Sequence, residues 1–188
     1  VGAKGSPLQL IMSAVFQIDT PTGNIPISVA EKIASSPLVA QSATISMGDA
    51  IKGKRIIGTT QAYGAMYGAK MARGRWFNAP MEVVLGAEAA TALKADVGAQ
   101  LIGEHGLAGG GELHSAFPYH VVGVLAPTGA VIDRVVLTPT ESVWRLHDHE
   151  AMERAAASGE AAAEMPERQV TALLVKYKSA MGALMLPR

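Results

Sequence analysis

Apolar positions in the first part of the chain recur at helical spacing. From Pro7 to Ile18 (PLQLIMSAVFQI), Leu10, Ile11, Ala14, Val15 and Ile18 fall on one side and the proline suits a first turn, which predicts an amphipathic helix. The stretch DTPTGNIP breaks it, and Ser28 with Glu31 three residues on makes a capping-box pattern for a short helix, Val29 to Ala34. The period then drops to two. In VAQSATISM, Val39, Ala43, Ile45 and Met47 alternate with Ser42, Thr44 and Ser46, the signature of a half-buried strand, and Arg55 to Thr59 reads as its partner.

Further on the signals shorten. Glu82 to Leu85 is a short strand, followed by a glycine turn and a helix from Ala87 to Leu93. AQLIGE and YHVVGVLA are strand candidates on either side of a glycine-rich loop, and their adjacency predicts a hairpin that a two-residue Asn-Gly turn could close in place of Gly106 to Ser115. Within the second of them, Val122 and Val124 read as buried. RVVLT is another strand, and Thr138, Pro139 and Glu141 then supply cap, first-turn proline and capping-box acid for a helix through ESVWRLHDHEAMERAA. Ala155 to Arg168 reads as a fraying helix end and linker, QVTALLVKY as a last strand, and Ser179 onward as helical. Strands and helices without strict alternation define an α+β domain.

A chain of 188 residues supports one domain, with room for two lobes. Acidic and basic residues balance at 16 each, which removes the electrostatic footprint expected of nucleic-acid binding. The absence of cysteine excludes disulfides, thiolate zinc sites and a cysteine nucleophile. The opening VGAKGSPLQL has neither an initiator methionine nor a signal-peptide pattern, and the apolar C-terminal residues stop abruptly, so the chain is expected to be part of a longer protein. No stretch approaches the ~20 consecutive apolar residues of a spanning helix.

Candidate chemistry concentrates in EHGLAGGGELHSAFPYH. GLAGGGE lacks the Gly-Lys-Ser/Thr of a phosphate loop and sits between strands, so its glycines read as a flexible connection and no nucleotide cofactor is expected. His105, His114 and His120, with Glu104 and Glu112 beside them, could surround a zinc ion, although their spacing matches no defined ligand motif. His147 and His149 point about 200° apart on a helix and cannot chelate together. A Gly-x-Ser-x-Gly elbow and a His-Glu-x-x-His helix are both absent, so no catalytic residue is assigned. Asp133 and Arg134, a charged pair among apolar residues, read as structural.

Several stretches in order resemble the extracytoplasmic domain of MacB/FtsX-type ABC transporter permeases. These are a Gly-Arg-x-Phe turn (Gly74, Arg75, Phe77), Glu-Val-Val-Leu-Gly (Glu82 to Gly86) before an alanine-rich helix, and Val97-Gly98 before a strand. Val-Val-Gly-Val-Leu (Val121 to Leu125) and an aspartate and strand ending near Pro139 complete the series. VGAKGSPLQL is similar to the segment leaving the first membrane helix in one branch of these permeases.

The resemblance implies that residues 1–188 are a single extracytoplasmic domain at the periplasmic face of the bacterial inner membrane. A mixed α/β porter-like lobe, 1–60 and 139–188, would carry an inserted, mainly β lobe, 61–138. It implies a non-enzymatic role: transmitting motion of the transmembrane helices, driven by a separate ABC ATPase subunit and shared with a second permease copy, to a periplasmic substrate or partner. The loop with His105, Gly109, Gly110, Gly111 and His114 is longer than the family's usual turn, as is the segment His147 to Arg168, and such elaborations are where partner or cargo specificity is expected. A zinc-handling domain using the histidine loop and a free-standing soluble enzyme are the alternative functions.

Overall fold

Ser6 caps the first helix, its hydroxyl accepting from the Gln9 amide, and Pro7 fills the first turn of α1 (Pro7–Ala14). The computed structural model describes residues 1–105, 117–158 and 167–185. α1 stops short of the predicted Ile18, because the chain turns away with Gln17 in the left-handed region (φ 60°). The buried side of α1 is Leu10, Ser13 and Ala14, while Ile11 and Ile18 remain 47% and 60% exposed. Ser13 can occupy that face because its hydroxyl donates to the Gln9 carbonyl at 2.9 Å.

After β1 (Ile25–Pro26), α2 (Ile27–Ala34) starts earlier than the capping box predicts. Pro26 is its N-cap and Ser28 lies inside the first turn, where its hydroxyl donates to the Glu167 carboxylate at 2.8 Å. The alternating segment is the beginning of a longer strand, β2 (Val39–Ile51), which turns through Lys52 and Gly53 into β3 (Lys54–Thr59). α3 (Gln61–Met66) and β4 (Met71–Gly74) carry no clear periodic signal. β5 (Glu82–Leu85) and α4 (Ala87–Leu93) have the predicted bounds.

The region around the glycine-rich loop differs from a hairpin. AQLIGE divides into β6 (Gln100–Leu101), which pairs antiparallel with β8 (Tyr119–Leu125), and β7 (Glu104–His105), which crosses to pair with β2. A 3-10 turn, Val131–Arg134, leads into β9 (Val136–Pro139) and α5 (Thr140–Ser158). Thr138 does not act as the expected cap, because it belongs to β9 and its hydroxyl bonds to the Glu82 carbonyl at 2.9 Å and to Ser142 Oγ at 2.8 Å. The last predicted strand breaks at Thr171 into β10 (Gln169–Val170) and β11 (Ala172–Tyr177), and α6 (Ala180–Met185) follows.

Nine of the described strands form one mixed sheet in the order β11-β2-β3-β9-β5-β8-β4, with β6 beside β8 and β7 beside β2. β1 and β10 make a separate antiparallel ribbon. The apolar doublets of the central strands are explained by burial on both faces: Ile57, Val84 and Leu137 enter one core cluster, while Ile56, Val83 and Val136 enter the other. In β8, Val122 is only half-buried, as strict alternation with Val121 requires, whereas a register shift against Val83 and Val84 returns Val124 to the face of Val121, and both of these are 2% exposed.

The motif residues act as clasps. Glu82 accepts from Arg75 Nη1 at 2.9 Å, pairs also with Nη2, and takes the Asn78 amide at 2.7 Å, which ties the loop after β4 to the start of β5. Gly74 adopts a positive φ of 73° and Gly86 packs so closely that a Cβ there would lie 2.2 Å from the Ile132 carbonyl oxygen. Asp133, buried, accepts from the Thr128 and Gly129 amides at 2.8 to 3.0 Å and from the Thr128 hydroxyl at 2.8 Å. Its structural role therefore lies in pinning the turn before β9, through partners other than Arg134.

Candidate functional site at the α5 junction

α5 is seated by its first turns. Val143 and Leu146 are buried, the Thr140 and Thr44 hydroxyls are 3.0 Å apart, and Ser142 Oγ accepts the Met81 amide at 2.9 Å. Another face carries Trp144, His147 and Asp148, at i, i+3 and i+4 beside the returning chain, while His149 projects about 200° away from His147.

Arg168 organises this flank. Its Nη1 donates to Asp148 Oδ1 at 2.7 Å, and its guanidinium carbon lies 5.4 Å from the centre of the Trp144 ring, a cation–π distance. The Asp148 carboxylate raises the Arg168 pKa above its ordinary value. Trp144 Nε1 in turn donates to the Gln169 carbonyl at 2.7 Å, so the indole is fixed at both its face and its edge. Between these groups and β2 lies a cavity of about 160 Å³, lined among others by Asn24, Ser46, Trp144, His147, Asp148 and Thr171. Its floor is ordered by Thr171, whose hydroxyl accepts the Met47 amide at 3.1 Å and donates to Asn24 Oδ1 at 3.2 Å.

The same helix holds the base of the glycine-rich loop. The Phe117 ring meets His149 edge-on, with centroids 4.8 Å apart and an interplanar angle of 75°. Neighbouring positions of α5 thus receive Phe117, which follows residues 106–116, and Arg168, which follows 159–166.

The sequence candidates are distributed differently. Gly109, Gly110, Gly111, His114 and Glu112 lie outside the described residues. His105 belongs to β7, in register with Asp49 of β2, whereas His120 is exposed on β8, opposite Glu82 and Gln100. Among the described residues no group of three histidine, aspartate or glutamate side chains could hold a metal ion. His147 and His149 diverge as their spacing requires, one lining the cavity and the other on Phe117.

Sequence reasoning missed Trp144, Asp148 and Arg168. Trp144 and Asp148 stand at i and i+4 on a helix that was read correctly, which marks a shared face. Arg168 reaches them from beyond the end of the helix, so no local spacing announces it.

A family model described as the MacB-like periplasmic core domain matches residues 4–180. The chain belongs to that family. No match is found among curated protein sequences. Among solved structures, the extracellular domain of the noncanonic ABC-type transporter YknZ from Gram-positive bacteria is similar, with a TM-score of 0.51, 12% identity and coverage of 94% of this chain and 81% of that one. The periplasmic region of MacB from Actinobacillus actinomycetemcomitans gives a TM-score of 0.47 at 12% identity, covering 86% of this chain and 83% of that one. The MacB-like domain therefore has the α+β fold shared with the YknZ domain. Among its described residues no helix is long and apolar enough to cross a membrane.

Proposed function

We propose that this MacB-like domain is the extracytoplasmic part of an ABC transporter permease and passes motion of the transmembrane helices to a periplasmic partner or substrate held at the α5 junction. The observation that carries this is the family match across nearly the whole chain. Nucleotide hydrolysis falls to a separate ATPase subunit, and a second permease copy completes the assembly. Residues 1–60 and 139–188 form the porter-like lobe and 61–138 the inserted lobe, with the parallel β3–β9 pair and the antiparallel β2–β7 pair at their seam.

A sheet continuous across that seam suits transmission, because it joins the lobes by main-chain hydrogen bonds and moves as a unit. The absence of native cysteine within the domain allows unique spin labels there. In the complete permease with its ATPase, labels at Glu88→Cys and Lys178→Cys should keep their intradomain distance on nucleotide binding. The Lys178→Cys distance between the two permease copies should change. An inter-copy distance indifferent to nucleotide would overturn the transmission role.

A further inference from the structure

A second cavity, about 190 Å³ in volume, opens between the end of α1, the β2–β3 turn and the 3-10 turn before β9. It shares no lining residue with the cavity at α5. Its chemistry is one-sided. Lys54, Arg55 and Arg134 line it together with apolar Phe16, Ile18 and Val135, and no acidic residue does.

Arg55 is the unusual member. It is only 6% exposed, and its Nε and Nη2 are buried without a hydrogen-bond partner; Nη1 donates to the Met47 thioether sulfur at 3.2 Å. A thioether is a weak acceptor, and a guanidinium withdrawn from water normally finds a carboxylate or phosphate fork. Among the described residues neither Lys54, Arg55 nor Arg134 has an acid within ion-pair distance. Burial pulls the Arg55 pKa below its ordinary value, and the charge of Asp19 offsets this in part without a hydrogen bond between the two.

We propose that this cavity binds a small carboxylic acid as its anion, with the carboxylate on Arg134 and Lys54, the uncompensated charge of Arg55 buried behind them, and a short apolar body against Phe16, Ile18 and Val135. The exposed Arg134 guanidinium can offer a carboxylate two parallel donors, while the Arg55 charge attracts the anion without a direct bond. The apolar wall selects against bare inorganic anions, and the volume limits the ligand to a few carbon atoms. The inference is independent of the transport role, since it rests on the cavity alone.

Calorimetric titration of the chain with hexanoate, acetate and inorganic phosphate tests it. Hexanoate should bind saturably, roughly tenfold or more tighter than acetate because of its extra methylenes, and phosphate more weakly than hexanoate. Arg55→Met, which removes the buried charge behind the site, should weaken hexanoate several-fold. Arg134→Gln, at an exposed position, keeps the test decisive if the Arg55 variant does not fold, and should weaken hexanoate about tenfold. Asp19→Asn should tighten it by removing a competing charge. Absence of saturable hexanoate binding, equal affinity for acetate, stronger phosphate binding, or indifference to Arg134→Gln would each overturn the assignment.

Discussion

Arg75 grips Glu82 through both terminal guanidinium nitrogens, and the same carboxylate takes the Asn78 and Ala79 amides. With four donors the ionised form is favoured, Arg75 contributing most, and the Glu82 pKa falls to about 2 from its ordinary 4.5. A carboxylate whose folded pKa is depressed stabilises the fold above its unfolded pKa and loses that contribution as pH falls through the folded one. The wild-type advantage over Glu82→Gln in urea unfolding should therefore be constant above about pH 5.5 and shrink between about pH 4.5 and 2. A gap unchanged at the acid end would contradict the role of this pair.

The close packing at Gly86 sets a second expectation. A methyl group there would press on the Ile132 carbonyl oxygen at 2.2 Å and the Asp133 oxygen at 2.5 Å, and both are backbone atoms that the Asp133 clasp holds in place. Gly86→Ala should cost about 1–3 kcal/mol by overpacking. In α6, Gly182 would bring a Cβ no nearer than 3.5 Å to any neighbour, so Gly182→Ala should be neutral or stabilising by up to about 1 kcal/mol. Equal effects of the two in denaturant melts would remove the packing argument.

These cases show which parts of the fold are legible locally. Glu82 to Leu85 and the following helix are legible to their bounds because strand, glycine turn and helix signals sit within a dozen positions. The extension of β2 to Ile51 was not, although Lys52-Gly53 is a turn signal that could have marked the hairpin. The split of AQLIGE was invisible, since β7 takes its partner from β2, far back in the chain. The predicted apolar face of α1 failed for the opposite reason: a local pattern was present, but a self-bonded serine took the buried place of Ile11. At the candidate site the helix and its Trp144–Asp148 face were readable, whereas Arg168 and Phe117 arrive by tertiary folding.

The crossing of β7 alters what loop surgery should do. Asn-Gly in place of Gly106 to Ser115 would suit a hairpin, but β7 is registered on β2 while Tyr119 and His120 are registered on β6. That replacement should pull one of these pairings apart and lower the melting temperature well beyond a few degrees. A Gly/Ser segment of the original length should keep it within a few degrees, as surface changes away from packed features usually alter stability by less than ~0.5 kcal/mol. If the short turn were harmless, the β7–β2 pairing would be unimportant to the fold.

The interrupted alternation of β8 separates Val122 and Val124, two residues apart, by consequence. Val124 is 2% exposed within the cluster that contains Val83, Val121 and Val136, so Val124→Asp places an unpaired carboxylate where no donor waits for it. Such burial costs several kcal/mol, a large part of a typical total of ~5–15 kcal/mol, and the domain should lose its cooperative transition. Val122 is half-buried, packed against the other cluster at its edge, and an aspartate there can turn toward water. Val122→Asp should therefore remain folded with a reduced melting temperature. Circular dichroism melts of the two variants side by side give the check: unfolding by Val122→Asp with tolerance of Val124→Asp would mean that the bulge lies on the other side of the pair.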